Sequence, residues 1–322
     1  MSDPSNGLVS ILIPVYNREN LIAETIQSAI SQSYKNIEVI IVDNASTDNT
    51  WSVVSSFLEQ DSRIKAYKNE SNIGPVRNWL RCVEEASGVF GKILWSDDLI
   101  SPDFIEKTIT LFNKDVGFVY TGAYIFNGSS YYDRSSHYLL PRTGLYSSTE
   151  FIEKALFGAG IPFSPGCAIF RLKDIQKNLL IQIPNKINSD FSSHAIGNDL
   201  LLFLLSANQY EYFGHIAEPL SFFRAHNESI SVSSDYIKLN LFYFLAKAHF
   251  VENFRLEYLN LFAANLQSFL WRQKKNTIKY NLNNVSDFFY CEIKVKFFYL
   301  IRVILYEILL SIKHRLAVCF RK

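Results

Sequence analysis

The chain has 322 residues, 48% of them hydrophobic and 20% charged, which excludes a mainly disordered chain. That length suits one large α/β domain with an appendage, or two small domains. Net charge is +1 but unevenly placed: from Trp271 onward 11 Lys and Arg face 3 Asp and Glu, a net of +8, while the rest carries 21 and 28, a net of −7. An acidic body with a basic tail predicts that the tail meets an anionic surface, and no nucleic-acid partner is expected. Aromatic content is 15%, with 26 Phe and 18 Tyr, residues that fill cores and also line sugar sites and membrane interfaces. Cys82, Cys167, Cys291 and Cys319 are widely spaced with no CxxC pair, so free thiols in a reducing compartment are expected rather than structural zinc or a disulfide framework. Met1 to Gly7 is polar without a signal-peptide pattern, and a cytoplasmic location is expected.

The first third alternates apolar runs with helical spacing. Val9 to Pro14 reads as a buried strand, and Leu21, Ile22, Thr25, Ile26, Ala29 and Ile30 recur as one helix face. Ile37 to Val42 is a second strand, and Thr50 to Leu58 a helix entered through the turn residues Asn44 to Asn49. A short strand at Ile64 to Tyr67 precedes a helix from Pro75 to Ala86, with Pro75 in the first turn. Val89 to Trp95 is the fourth strand, and Ser101-Pro102-Asp103 starts another helix with Ser101 as its cap. Strands alternating with helices predict a doubly wound, mainly parallel α/β sheet, whose ligands bind beyond the carboxyl ends of the strands. The segments to inspect are therefore Pro14 to Arg18, Asp43 to Asp48 and Ser96 to Asp98.

Further on, strands are expected at Gly117 to Phe126 and Gly166 to Arg171, helices at Ser148 to Phe157 and Asn198 to Ala207, and edge strands at Tyr210 to Phe213 and Leu220 to Arg224. From about Asp235 the pattern is helical. Phe297 to Ile312 is almost wholly apolar, but its 16 residues include Arg302 and Glu307, and a bilayer span needs ~20 apolar residues. With Lys294, Lys296, Lys313, Arg315, Arg321 and Lys322 around it, the stretch reads as a helix lying at an anionic membrane surface, or as a buried helix packed on the domain. The expected division is residues 1–115 and 116–232 as two halves of one domain, the second on the acceptor side, and 233–322 as a helical region with membrane contact as one of its two readings.

No GxGxxG follows the first strand and no GxxxxGK[ST] occurs, so hydride-transfer and P-loop classes drop out. Carboxylates and amides occupy the strand ends instead. Asp97 and Asp98 end the fourth strand, where two adjacent carboxylates repel unless a cation is present. Mn²⁺ or Mg²⁺ on such a site takes one or two carboxylates plus phosphate oxygens and would neutralise a diphosphate leaving group. A solvated pair before a helix is the plainer alternative. Asp43 ends the second strand, placed to accept from a base N–H or to form an Asx turn.

The ordered run Val9-Ser-Ile-Leu-Ile-Pro-Val-Tyr-Asn-Arg18, then Ile37-Glu-Val-Ile-Ile-Val-Asp-Asn-Ala-Ser-Thr-Asp48, Asn72-Ile-Gly74, Arg77-Asn78, Ser96-Asp-Asp98 and Pro102 resembles the family 2 glycosyltransferases of GT-A fold. The resemblance implies an inverting transfer of sugar from a nucleoside-diphosphate donor, with UDP as the default, to an acceptor hydroxyl. It implies that Pro14, Tyr16 and Asn17 line the nucleotide pocket, that Asp43 contacts the base, and that Arg77 lies near base or diphosphate. Asp97 matches the last carboxylate of the family's DxD motif, the usual metal ligand, and Asp98 follows it; the first carboxylate is replaced by Trp95. Gly197-Asn198-Asp199 resembles the Glu-Asp motif, with Asp199 as general base and Asn198 in place of the usual Glu. Pro165 and Gly166, within Pro162 to Arg171, resemble the segment that shapes the acceptor site. Arg224-Ala-His226, leading into Asn227 to Ser231, resembles a late element near the diphosphate, with His226 as a metal ligand or phosphate donor.

Two other classes fit less well. A sugar nucleotidyltransferase would carry a Gly-rich basic loop after the first strand, which Pro14-Val-Tyr-Asn-Arg18 lacks. A non-catalytic nucleotide-sugar-binding protein of the same fold stays open through Trp95. By analogy with the family, the basic aromatic tail points to a lipid-linked glycan acceptor at the inner face of the cell membrane, as in bacterial surface polysaccharide assembly.

Overall fold

β1 (Val9–Val15) is a β-branched apolar run, buried at every position, as a strand covered on both faces requires. It lies inside a ten-stranded sheet in the computed structural model, which describes residues 6–127, 134–226 and 234–319. α1 (Ile22–Ile30) turns Ile22, Thr25, Ile26 and Ala29 inward at helical spacing. β2 (Ile37–Asp43), α2 (Thr50–Leu58) and β3 (Ile64–Lys68) follow. α3 (Pro75–Glu84) begins at Gly74, whose φ of 84° suits glycine and where a Cβ would stand 3.1 Å from the Ser192 carbonyl. β4 (Phe90–Ile93) completes a parallel set, β3-β2-β1-β4.

β5 (Leu99–Ile100) and α4 (Phe104–Ile109) come next. Asp103, not Ser101, precedes the first turn of α4, and the Ser101 hydroxyl instead donates to the Asp103 carboxylate. β6 (Val116–Asn127), β7 (Arg134–His137), β8 (Gly144–Ser147), α5 (Ser148–Phe157), β9 (Ala168–Arg171), α6 (Leu172–Asn178), α7 (Phe191–His194), α8 (Asn198–Ala207) and β10 (Tyr212–Ala225) build the other half of the sheet. β9 runs antiparallel between β4 and β6, and β6 and β10 are parallel. The two expected edge strands are one long interior strand, β10, held by β6 on one side and by β5 and β8 on the other. Pro219 reads as a break in the sequence, but register shifts on both sides of it absorb its missing N–H.

Much of the aromatic content is core. Phe118 lies within 5.0–5.6 Å of the rings of Phe151, Phe170, Phe203 and Phe213. α8 is buried on nearly every side, which its Leu-rich sequence demands.

The chain divides into two compact units, Met1–Gln182 with Asp190–Ser233, and Ile183–Ser189 with Ser234–Lys322. The second contains α9 (Tyr236–Phe254), α10 (Leu259–Thr277) and α11 (Phe297–Cys319). Among the described residues no helix is long and apolar enough to cross a membrane.

At the end of the sheet opposite the candidate site, buried Glu38 of β2 ties three strands together. It accepts from Ser10 at 2.6 Å, from the Ser87 N–H at 2.6 Å and from Lys65 at 2.8 Å. Burial pushes its carboxyl up, but the Lys65, Ser10 and Ser87 donors together win and hold it at about 2. A depressed carboxylate contributes stability above its ordinary value of 4.5 and loses it as pH falls toward 2. Glu38→Gln should therefore cost on the order of 1–3 kcal/mol at neutral pH. In urea titrations the deficit against wild type should shrink between pH 7 and pH 3; an equal deficit at both would contradict this.

Candidate active site at the carboxyl ends of β1, β2 and β4

β1 and β4 pair as far as Leu12 and Ile93, then part. Pro14 is buried in β1 beyond that last pair, where its missing N–H costs no β4 hydrogen bond. The chain then turns through Tyr16, exposed at the rim, and Asn17, which adopts the left-handed conformation that Asn tolerates (φ 50°). The Asn17 N–H donates to Ser46 Oγ at 2.9 Å and its Oδ1 accepts from the Thr47 N–H at 2.9 Å. The Arg18 N–H donates to Thr50 Oγ1 at 2.7 Å. The turn after β1 is thus built on the loop after β2.

Asp43 anchors that loop. Its Oδ1 accepts from the N–H and the hydroxyl of Ser46. Its Oδ2 is buried, 3.9 Å from Lys68 Nζ, with no hydrogen-bond partner among the described residues. A buried acceptor left open is costly, so it marks a place where a ligand donor would be favourable.

Arg77, in the first turns of α3, donates to Ser192 Oγ, and Ser192 donates to Asp190 Oδ1 at 2.6 Å. Arg77 therefore holds the segment that leads through α7 into α8.

After β4 the two adjacent carboxylates separate. Asp98 turns inward: its Oδ1 accepts the Arg224 N–H at 2.9 Å, and its carbonyl accepts from Thr25 Oγ1 at 3.0 Å. Burial, with the Asp97 charge second, pushes its carboxyl well above the usual range. Asp97 is half-buried, with Oδ2 2.8 Å from His226 Nε2 and 3.6 Å from Arg18 Nε. Arg224 Nε donates to the Asp97 carbonyl at 3.2 Å, and Arg224 Nη2 reaches Glu24 at 2.6 Å. Asn227 to Ser231, the rest of the late element, lie outside the described residues.

Asp97 and His226 present an oxygen and a nitrogen side by side; the pair would fit Mn²⁺ completed by phosphate and water oxygens, whereas Mg²⁺ would rest on the Asp97 oxygen with phosphate and water alone. Asp98 is engaged with the Arg224 backbone behind them. Among the described residues no group of three His, Cys, Asp or Glu is arranged to hold a cation by itself.

Pro165 and Gly166 are buried in a single 3₁₀ turn, Pro165–Cys167, set against Trp95. Trp95 Nε1 donates to Ser164 Oγ at 2.8 Å, its ring lies 4.6 Å from that of Trp79, and a Cβ on Gly166 would meet it at 3.0 Å. Lys92 Nζ, fully buried in β4, donates to the Gly166 carbonyl and to the Ile93 carbonyl, the latter at 3.0 Å. Burial pulls this ammonium down to about 7, while the nearby Cys167 and Asp98 act in the opposite sense.

Asn198 is buried, its Nδ2 donating to the Leu180 carbonyl at 2.7 Å. Asp199 is half-buried in the first turn of α8, and its Oδ1 accepts the Gly197 N–H at 3.0 Å. Burial above all raises the Tyr138 phenol to about 12. The structure therefore links Asp43 to Asp97 through the Asn17–Arg18 turn, and places Pro165 and Gly166 beside Trp95.

The sequence marks the Pro14 to Arg18 segment and the Arg224 to His226 element but not that Arg18 lies beside Asp97 and Arg224 behind Asp98, and it misses Lys92 altogether. A lysine between buried Phe90 and Ile93 in a short apolar strand is the one signal that was available.

A parallel sheet opened at its central strands, with carboxylates on the rim, is the GT-A fold. The crystal structure of S. aureus TarS 1-349 in complex with UDP-GlcNAc has the same architecture, at a TM-score of 0.61 over 85% of this chain and 76% of that one, with 18% identity. The model described as Glycosyl transferase family 2 matches residues 10–179, more than half of the chain, and the chain belongs to that family. A glycosyltransferase of Haemophilus influenzae is 37% identical over 102 residues, 32% of this chain and 41% of the relative. The Escherichia coli UDP-Glc:alpha-D-GlcNAc-diphosphoundecaprenol beta-1,3-glucosyltransferase WfaP is 36% identical over 141 residues, 44% of this chain and 51% of the relative. The matches thus span about two fifths to one half of these curated relatives.

Lys92 generates a test independent of turnover. Its ammonium is depressed to about 7 in the fold and ordinary, at 10.5, in the unfolded chain. Between those values the unfolded state binds the extra proton, so this lysine makes stability rise with pH. Lys92→Met lacks that rise and leaves the Gly166 carbonyl without its donor. The deficit of Lys92→Met against wild type in denaturant titrations should be larger at pH 9 than at pH 7. Parallel pH profiles would contradict the burial of a charged amine here.

Proposed function

We propose that this chain is an inverting glycosyltransferase that moves a sugar from a nucleoside-diphosphate donor, UDP in the first instance, to a hydroxyl of a lipid-linked glycan in bacterial surface polysaccharide assembly. The observation that carries the donor reading is the buried Oδ2 of Asp43, which has Lys68 Nζ at 3.9 Å but no hydrogen-bond partner among the described residues, with Asp43 joined to Asp97 through the Asn17–Arg18 turn. An imide N–H of uracil is the donor that oxygen lacks. Pro14, Tyr16, Asn17 and Arg77 frame the nucleotide pocket around it. Support for UDP comes from TarS, solved with UDP-GlcNAc and with UDP, and from the donor in WfaP's name.

Asp97 and His226 would hold Mn²⁺, or Asp97 alone Mg²⁺, with Asp98 fixing the Arg224 strand behind them. The cation would supply charge neutralisation for the departing diphosphate. Arg18 adds a second positive group beside Asp97. Asp199 removes the acceptor hydroxyl's proton as that oxygen attacks the anomeric carbon opposite the leaving group, which inverts the centre. Pro165, Gly166 and Trp95 form the acceptor wall, with Asn198 holding the chain behind it.

UDP-glucose with GlcNAc-diphosphoundecaprenol, the pair in WfaP's name, is the first assay to run. Asp199→Asn should keep UDP binding and lose transfer by about 10²-fold or more. Full activity of Asp199→Asn would overturn the base assignment. Asp97→Ala should weaken Mn²⁺-dependent UDP binding about tenfold, read as a lost thermal shift. An undiminished shift would remove Asp97 from the donor site, and UDP binding by wild type without transfer to any acceptor would favour a binding protein of the same fold.

A further inference from the structure

The described part of α11 has two apolar faces and only one of them is covered. Leu300 and Val303 pack on Ala264 of α10, with Leu261, Val295 and Tyr299 around them. The opposite face presents Phe297 (75% exposed), Phe298 (74%), Leu305 (56%) and Leu309 (57%), together with Ile301, Ile304 and Ile308. A water-facing helix normally places polar residues there, and an apolar patch of this kind marks a contact surface.

Charge selects the partner. The carboxylate of this stretch, Glu307, is turned to the covered side, where Arg272 pairs with it and Ser268 donates to it at 3.0 Å. Among residues 297–309, Arg302 is the charge on the exposed side. Lys294 and Lys296 lead into the helix and line a cavity of about 360 Å³ with Leu259, Ala263, Ile293 and Glu292, whose carboxylate lies 4.0 Å from Lys294 in an exposed, water-screened pair. The sequence from Trp271 carries the net +8. A second copy of this chain would bring the same positive charge against itself, whereas an anionic bilayer complements it.

We infer that α11 is a membrane-surface element that lies in the plane of an anionic bilayer. Phe297, Phe298, Ile301, Leu305 and Leu309 enter the acyl boundary, and Lys294, Lys296 and Arg302 meet lipid phosphates. This inference stands on the second unit alone, whichever residues carry the chemistry.

The test is flotation of the full chain with phosphatidylcholine vesicles, with and without phosphatidylglycerol. Binding should require phosphatidylglycerol and weaken as salt rises. Phe298→Ser and Leu305→Ser, both at exposed positions, should each lower vesicle affinity about tenfold with unchanged circular dichroism. Lys294→Glu with Lys296→Glu should lower it and flatten the salt dependence. Equal binding to neutral vesicles would overturn the charge argument. Vesicle binding unaffected by the serine variants, or a concentration-dependent dimer that those variants abolish in place of vesicle binding, would overturn the inference.

Discussion

The candidate site depends on the point where β1 and β4 stop pairing. Their shared ladder ends at Leu12 and Ile93, and both chains continue outward with no strand between them among the described residues. In a doubly wound sheet the strand order reverses at such a point, and the crevice beyond it receives ligands. Here it receives Tyr16 to Arg18 from one side and Trp95 to Asp98 from the other. Asp43 joins because the loop after β2 is hydrogen-bonded to the turn after β1.

Within that crevice the fold resolves a local conflict. Two adjacent carboxylates repel, and burying both as ions would be costly. The structure treats them differently: burial and the Asp97 charge favour the protonated form of Asp98, against the pull of the Arg224 N–H it accepts, while Asp97 keeps Arg18 and His226 at its side. In the proposed reading this leaves one carboxylate for a cation and diphosphate. Trp95, where the family resemblance implied a first carboxylate, is committed instead to Trp79, Ser164 and Gly166, so the position joins the proposed donor rim to the Pro165–Cys167 turn.

The first half of the fold was legible because its physics is local. β-branched runs such as Val9–Val15 and the spacing of Ile22, Thr25, Ile26 and Ala29 state their own structure. Strand-end carboxylates such as Asp43 and Asp97 were legible for the same reason. What was not legible depends on partners far away in the chain. That Asp98 points inward and Asp97 outward is decided by Arg224 and His226, more than 120 residues on. The burial of Lys92 is decided by a carbonyl 74 residues away. The single strand β10 was hidden because Pro219 signals a break that only the neighbouring strands can absorb. Likewise, the sequence marks Phe297 to Ile312 as apolar, but which of its faces α10 covers is a fact of packing.

A crystal structure of the chain with UDP and Mn²⁺ tests the central claim most directly. The account predicts uracil donating to Asp43 Oδ2 and the diphosphate beside Asp97 and His226 in the opening between β1 and β4. A nucleotide bound elsewhere, with Asp43 Oδ2 still without a donor, would contradict it.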